Sequence, residues 1–306
     1  MGIEGFKWLG GDVTGGVTGG MRRRVAIVTW LIVMATLAPC TKAAEEPLTL
    51  GIFPRNRAAE TMAMYSPLAQ HLSERLGRKV ILVTARDFES FWKEVTEQRY
   101  DIVHYNPYHY VQSAQAYKVI AYNQEFGKNA IAGALFVRKD SGITSIAQLR
   151  GRTIMFGGGR DAMLSYIAPR FLLMQAGLKE GDFVTKFAVN PPNALLALNN
   201  GQADAAGGGE ILIDLPAVRN AIDVQGLTVL GKTEPLLFLP WAVKRAMPPK
   251  LAGAVQSTLL GLGNSEAGKN VLHAAKTTSI GKADDKDYDP HRKMTAAVFG
   301  PKGAAK

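Results

Sequence analysis

Apolar and polar residues alternate over residues 48–53 until Pro54-Arg55-Asn56 interrupts them, which predicts a strand followed by a polar loop. Ser66-Pro67 predicts a helix start, because serine caps free N–H groups and proline suits the first helical position. Leu68, Leu72 and Leu76 follow at helical spacing, and Gly77 ends the helix. Residues 80–84 predict a second strand, 88–98 a helix, 102–105 a third strand and 107–116 another helix. Strands and helices in alternation predict a parallel, doubly wound sheet. Further strands are expected at 119–122 and 134–137, with a short helix at 145–149. A second unit then opens with strand 153–156, loop Gly157-Gly158-Gly159 and helix 161–176. Strands 186–189 and 203–206 flank helix 193–199, and strand 228–230 closes that lobe. Helices at 248–262 and 266–275 are expected to pack outside the first lobe, followed by a charged loop at 282–288 and a frayed tail.

One grammar appears twice. Arg99-Tyr100-Asp101-Ile102-Val103 and Gly201-Gln202-Ala203-Asp204-Ala205 each place an Asp after a polar turn and before an apolar run. A βα run begins 53 residues before Asp101, at Leu48, and 51 residues before Asp204, at Thr153. Two α/β lobes of similar layout imply a cleft, and the loops at strand ends are where open sheets present binding groups. The divisions expected are 1–44 for an N-terminal extension and signal peptide, 45–136 for lobe 1, 137–236 for lobe 2 and 237–306 for the return to lobe 1. Chain crossings near 136 and 236 would make a two-segment hinge.

The N-terminus changes what the composition means. Met21-Arg22-Arg23-Arg24 precedes a 14-residue uncharged run, 25–38, too short to span a membrane. With small residues at Ala43 and Ala44, this reads as a secretory signal peptide, with Met21 as an alternative start. Leu37-Ala38-Pro39-Cys40 resembles a lipobox, so Cys40 is a candidate lipid anchor and the sole expected membrane contact; cleavage after Ala43 or Ala44 is the alternative. Cys40 is the only cysteine, which removes disulfides and thiol chemistry from the mature domain. Residues 1–43 carry five basic and two acidic residues, leaving +7 of the chain's +10. That charge is dispersed rather than clustered, which argues against nucleic acid.

These stretches together resemble the phosphate/phosphite/phosphonate family of periplasmic solute-binding proteins that serve ABC transporters. The resemblance is carried by Ser66-Pro67-Leu68 with Leu76-Gly77 and Val80, by Arg86-Asp87-Phe88 and by Tyr100-Asp101-Ile102-Val103. Val137-Arg138-Lys139-Asp140-Ser141 and Asn193-Ala194-Leu195 leading to Gly201-Gln202-Ala203-Asp204 extend it to most of the mature chain. It implies a type II periplasmic-binding-protein-like α/β fold, two doubly wound lobes joined by a two-segment hinge. It also implies a run of hydroxyls opening the second lobe's main helix, where this chain has Ala162-Met163-Leu164 and then Ser165. A family His falls at Asn190-Pro191-Pro192, a carboxylate near Leu239, one cleft Tyr near Ile131 and another at Phe88.

The residues themselves nominate the site. Gly158, Gly159, Arg160 and Asp161 join a strand to a helix, either an anion nest with Arg160 as a cation or a tight turn capped by Asp161. The cluster after the third strand offers Tyr105, Asn106 and Tyr108 as ligand contacts; His104 is a contact or a hydrogen-bonded core histidine. His104 and His109 straddle a proline and make a poor metal pair, so no metal or cofactor is expected. Glu210 follows the second-lobe glycines as a ligand acceptor or a hinge residue; Ser165, Phe88 and Arg55 complete the set, with Asn190, Asn193 and Trp241 weaker. No catalytic triad or carboxylate pair stands out. The expected function is capture of a small anionic oxo-ligand by a monomeric periplasmic protein for an ABC permease. A sensory subunit is the alternative, and an enzyme on the same scaffold the lesser one.

Overall fold

The computed structural model describes residues 45–300. The signal-like segment, Cys40 and the last six residues lie outside them. Among the described residues no helix is long and apolar enough to cross a membrane.

Two sheets carry the two lobes. In the first, β1 (Leu48–Ile52) pairs in parallel with β2 (Val80–Thr84) and β3 (Ile102–His104). Beyond β3 the order continues through β12 (Pro240–Lys244), β4 (Tyr117–Gln124) and β13 (Ser279–Lys282), joined antiparallel. In the second sheet, β7 (Thr153–Gly157) pairs in parallel with β8 (Val184–Ala188) and β9 (Ala205–Gly209). There β6 (Gly133–Arg138) and β10 (Leu227–Lys232) add antiparallel strands beyond β9. The sheets are therefore mixed rather than wholly parallel, because the strand after each parallel trio arrives through a crossing. That crossing is a short antiparallel ladder of β5 (Ala130–Ile131) and β11 (Leu236–Leu237). Its first pass comes earlier than residue 136, since Gly133 is already paired to Gly209 in the second sheet.

The duplicated Asp acquires a structural meaning. The Thr49 N–H donates to Asp101 Oδ2 at 2.8 Å and the Thr153 N–H donates to Asp204 Oδ2 at 2.8 Å. Each carboxylate ties the start of the first strand of its lobe's parallel trio to the start of the third, at the end opposite the strand-end loops. Asp101 also accepts from Thr49 Oγ1 at 2.9 Å and Lys244 Nζ at 2.8 Å, whereas the nearest cation to Asp204 is Arg152 at 3.6 Å.

Three local predictions change in the structure. Helix α1 (Ala58–Leu76) begins eight residues before Ser66, so Pro67 is internal. The carbonyl that proline leaves unpaired belongs to exposed Ala63 and is free to take water. The strand expected at 203–206 runs on through Gly207–Gly209, where glycine hid the alternation. A Cβ on Gly207 would lie 2.6 Å from the Ser165 carbonyl oxygen, so glycine there lets the sheet meet the neighbouring helical backbone. Finally, the last element of the described residues is a helix that periodicity did not suggest, α9 (Asp289–Phe299), opened by Pro290. Between α1 and α9 lie α2 (Phe88–Thr96), α3 (Pro107–Ser113), α4 (Ala168–Gln175), α5 (Pro191–Asn199), α6 (Pro216–Arg219), α7 (Pro249–Leu260) and α8 (Glu266–Ala274). Helix α9 bridges the lobes: Met294 joins the second-lobe core, and the Phe299 ring lies 5.8 Å from Tyr108 in α3.

Burial also neutralises two histidines. His104 and His291 are wholly buried, and desolvation depresses their pKa values to about 3 and about 4, despite hydrogen bonds to the Pro240 and Leu237 carbonyls. In the unfolded chain both rings take up a proton near pH 6.5. The unfolded state thus binds more protons between pH 6.5 and pH 3–4, and stability present above pH 6.5 is lost as the pH falls through that window. Thermal unfolding is expected to show a melting temperature falling between pH 6.5 and 4, with each histidine contributing up to ~1.4 kcal/mol per pH unit. His104→Gln should flatten that profile.

A second expectation concerns the two Asp clasps. Asp101→Ala removes three hydrogen bonds including a charged pair, at a cost of about 2–4 kcal/mol. Asp204→Ala should cost about 1–2 kcal/mol. Chemical denaturation that ranked Asp204→Ala as the more damaging would contradict this account.

Candidate functional site

A cavity of about 250 Å3 lies between the lobes, at the C-terminal ends of the parallel strands. The first lobe contributes Phe53 and Arg55 after β1, Phe88 at the start of α2, and Asn106-Pro107 at the start of α3. The second contributes Gly157–Gly159 at the end of β7, the segment from Asp161 to Ser165, and Val189-Asn190-Pro191 after β8. Leu237, Phe238 and Leu239 of the hinge form the third wall with His291 of α9.

The second-lobe wall begins as a tight backbone approach. A Cβ on Gly157 would lie 2.2 Å from Pro191 Cα, and Gly158 adopts φ 86°, so the turn after β7 needs glycine at both places. The chain then enters a π-helical turn, Met163–Ile167, which runs on into α4. Wide π turns are rare and frequent at functional sites. The Ala162 carbonyl accepts from both Tyr166 at 2.9 Å and Ile167 at 3.1 Å. The opening N–H groups of the turn have no partner within the helix and carry the positive end of its dipole. Ser165 Oγ donates to the Gly157 carbonyl at 2.6 Å, locking the turn onto the strand end.

Two asparagines face the cavity from opposite lobes, each as the N-cap of a helix. Asn106 caps α3, its Oδ1 accepting from the Tyr108 N–H at 2.9 Å. Asn190 caps α5, its Oδ1 accepting from the Asn193 N–H at 2.9 Å. With the oxygen engaged in each case, the side-chain NH2 is left without a protein partner and is available as a donor. Arg55 adds a guanidinium, held by Glu125 at 2.9 and 3.1 Å and lying 5.8 Å from the Phe238 ring centre.

A side-chain contact joins the lobes directly. His109 Nε2 of α3 sits 3.3 Å from Asp161 Oδ2. His109 is buried, its ring 5.0 Å from that of Trp92 and 6.4 Å from that of Phe88. Partial burial pushes the Asp161 carboxyl up, but the His109 hydrogen bond and charge outweigh it and hold the pKa below its ordinary value.

The structure brings Phe88, Asn106, Gly158, Gly159, Asp161, Ser165 and Arg55 to the cavity and takes five other candidates away. Tyr105 is fully buried, its hydroxyl 2.9 Å from Ser113 Oγ, because the strand alternation turns it into the core. His104 donates from Nδ1 to the Pro240 carbonyl and stacks on Trp241 at 4.1 Å, so it is a core histidine, and Trp241 is core too. Tyr108 packs between His109 and Phe299. Arg160 turns outward, donating to the Tyr166 hydroxyl at 2.8 Å and lying 3.6 Å from Glu180. Glu210 is held beside the hinge by Lys232 at 3.0 Å and Lys128 at 3.7 Å. The core reading of His104 was already open in the sequence, whereas the directions of Arg160 and Glu210 depend on distant partners. Asn190 stood among the weaker candidates, yet Asn190-Pro191 repeats the Asn106-Pro107 cap and was legible on that ground. His109, Phe238 and His291 carried no local signal. Ala162, Met163, Leu164, Leu239 and Phe88 do line the cavity, at places where the resemblance implied polar groups, whereas Ile131 is hinge core.

Residues 50–288 match the family model described as the periplasmic substrate-binding protein of a phosphonate ABC transporter. The chain belongs to that family. Its fold is that of type II periplasmic binding proteins, two doubly wound α/β lobes on a two-segment hinge. A binding protein from Prochlorococcus marinus, solved with methylphosphonate, superposes with a TM-score of 0.68 at 17% identity, covering 83% of this chain and 98% of that one. A Xanthomonas citri protein solved bound to ATP gives 0.70 at 18% identity, covering 85% and 99%. A 157-residue stretch, 48% of the chain, is 29% identical to a tetrathionate sensor histidine kinase from Salmonella typhimurium, of which it spans 26%.

The tight contact between Gly207 and the Ser165 carbonyl makes the cavity wall sensitive to the sheet behind it. Gly207→Ala is expected to cost about 1–3 kcal/mol through overpacking. Calorimetry should register this as a fall of several degrees in melting temperature.

Proposed function

We propose that this family member captures a small anionic oxo-ligand between its lobes in the periplasm and presents it to an ABC permease. The observation that carries the reading is the polar equipment of the cavity, which is mostly donors. Two cap asparagines offer NH2 groups from opposite lobes, Arg55 offers a guanidinium, and the π turn offers its opening N–H groups. The one carboxylate present, Asp161, is already engaged by His109. A set of donors drawn from both lobes favours an acceptor-rich ligand and ties its capture to closure. No step of bond making is required of any residue.

The test separates the donor from the cap. Asn190→Asp keeps an oxygen to accept from Asn193 while replacing the NH2 by a charged acceptor. Calorimetric titration with phosphonates, sulfonates and carboxylates is expected to find an anion that binds the full chain. Asn190→Asp should weaken that anion at least tenfold with little change in melting temperature. Unchanged or tighter binding of that anion, or no binding by any anion of the series, would overturn the reading.

The similarity to the sensor kinase supports a second role, in which closure is read by a kinase rather than a permease. Uptake of labelled ligand lost on gene deletion supports transport, whereas intact uptake with a lost transcriptional response supports sensing.

A further inference from the structure

The walls of the cavity are at odds with an inorganic ion. Phe53, Phe88 and Phe238 face it with Met163, Val189 and Leu239, so most of its surface is carbon. Two of these side chains are unusually open for their kind. Phe88 is 41% exposed and Val189 87% exposed, one at the mouth from each lobe. Exposed apolar groups lining a shared cavity are area a ligand would remove from water.

Charge leads the same way. Arg55 is already compensated by Glu125 at 2.9 Å, and Asp161 faces His109 at 3.3 Å. The cavity thus offers an anion no uncompensated cation, while a small oxyanion gives up a large hydration energy on entry. Neutral amide donors can orient one oxyanion head, but they replace that hydration poorly. Size adds to the argument: about 250 Å3 is many times the ~10–15 Å3 that seats one water, and five heavy atoms would leave most of it unfilled.

We infer that the ligand is an organic anion with an apolar arm: an oxyanion head held by the asparagine NH2 groups, Arg55 and the π turn, and a hydrocarbon or aromatic arm lying between Phe88 and Val189. This rests on the anion-capture reading above and adds the class of substituent. The polar and apolar halves of the cavity thereby do separate work. The head is oriented by the donors, and the arm supplies the larger part of the affinity.

Matched pairs test it on the full chain by calorimetric titration: methylphosphonate against phenylphosphonate, methanesulfonate against benzenesulfonate, and acetate against benzoate, with inorganic phosphate alongside. The phenyl member of the preferred head class is expected to bind at least tenfold tighter than its methyl partner and than phosphate. Phe88→Ala should cut that ratio to threefold or less. Because Phe88 stacks on His109, Val189→Ser serves as an independent variant, since an exposed side chain is not needed for folding. Equal binding of the methyl and phenyl members, or tightest binding of phosphate, would overturn the apolar arm and leave anion capture standing. Silence from all seven anions would overturn both.

Discussion

The structure depends on how the second hinge segment is held. Two successive carbonyls there, Leu237 and Phe238, accept hydrogen bonds from His291 Nε2 at 3.0 Å and Tyr288 Oη at 2.9 Å. Both donors come from the start of the C-terminal helix and both are fully buried. Desolvation keeps His291 neutral and raises the Tyr288 pKa well above the usual phenol value, so neither clamp changes charge at ordinary pH. The segment they hold is also the third wall of the cavity. Position the hinge and the cleft follows; free it and the two lobes are left with the contacts across the cleft and those made by α9.

The cleft uses capping groups for a second purpose. An asparagine that caps a helix spends its oxygen on the backbone, and the geometry of the cap then aims the remaining NH2. Asn106 and Asn190 apply this once in each lobe, so the helices that anchor them also orient them. Behind Arg55 the same economy runs deeper. Glu125 receives Asn123 Nδ2 at 3.4 Å, and Asn123 accepts from Trp241 Nε1 at 2.7 Å, which links the cleft guanidinium to the first-lobe core. Rigid side chains on rigid elements lower the ordering cost of binding.

Periodicity and turn chemistry made most strands and helices legible, with Gly77 and Asn106-Pro107 acting as written. Failures share a cause: they concern positions whose role is set by distant chain. Gly207–Gly209 resembles a loop because glycine hides the alternation, yet contact with the Ser165 backbone is what requires it. Ser66-Pro67 has the composition of a helix start, but tertiary packing of Thr61 and Tyr65 extends α1 past it. The candidate site divided in the same way. Backbone-defined members such as Gly158 and Ser165 were found, whereas the direction of Arg160 depends on Tyr166 and Glu180, and the His109–Asp161 pair spans the two lobes. The repeated Asp pointed to duplication correctly and to the cleft not at all, since it staples strand starts at the far end.

Strand order has a consequence for the time course of folding. All five strands of the second sheet lie between Gly133 and Lys232, so that lobe is complete within one continuous stretch of chain. The first sheet is not, because β12 lies between β3 and β4 and begins at Pro240. A chain emerging N-terminus first therefore makes β1 to β4 and must hold them with a gap in the middle of the sheet while the whole other lobe is synthesised. Pairings of such long sequence separation form slowly, and the unfilled gap exposes strand edges meanwhile. The first lobe begun is the last one closed, and the hinge clamps arrive later still.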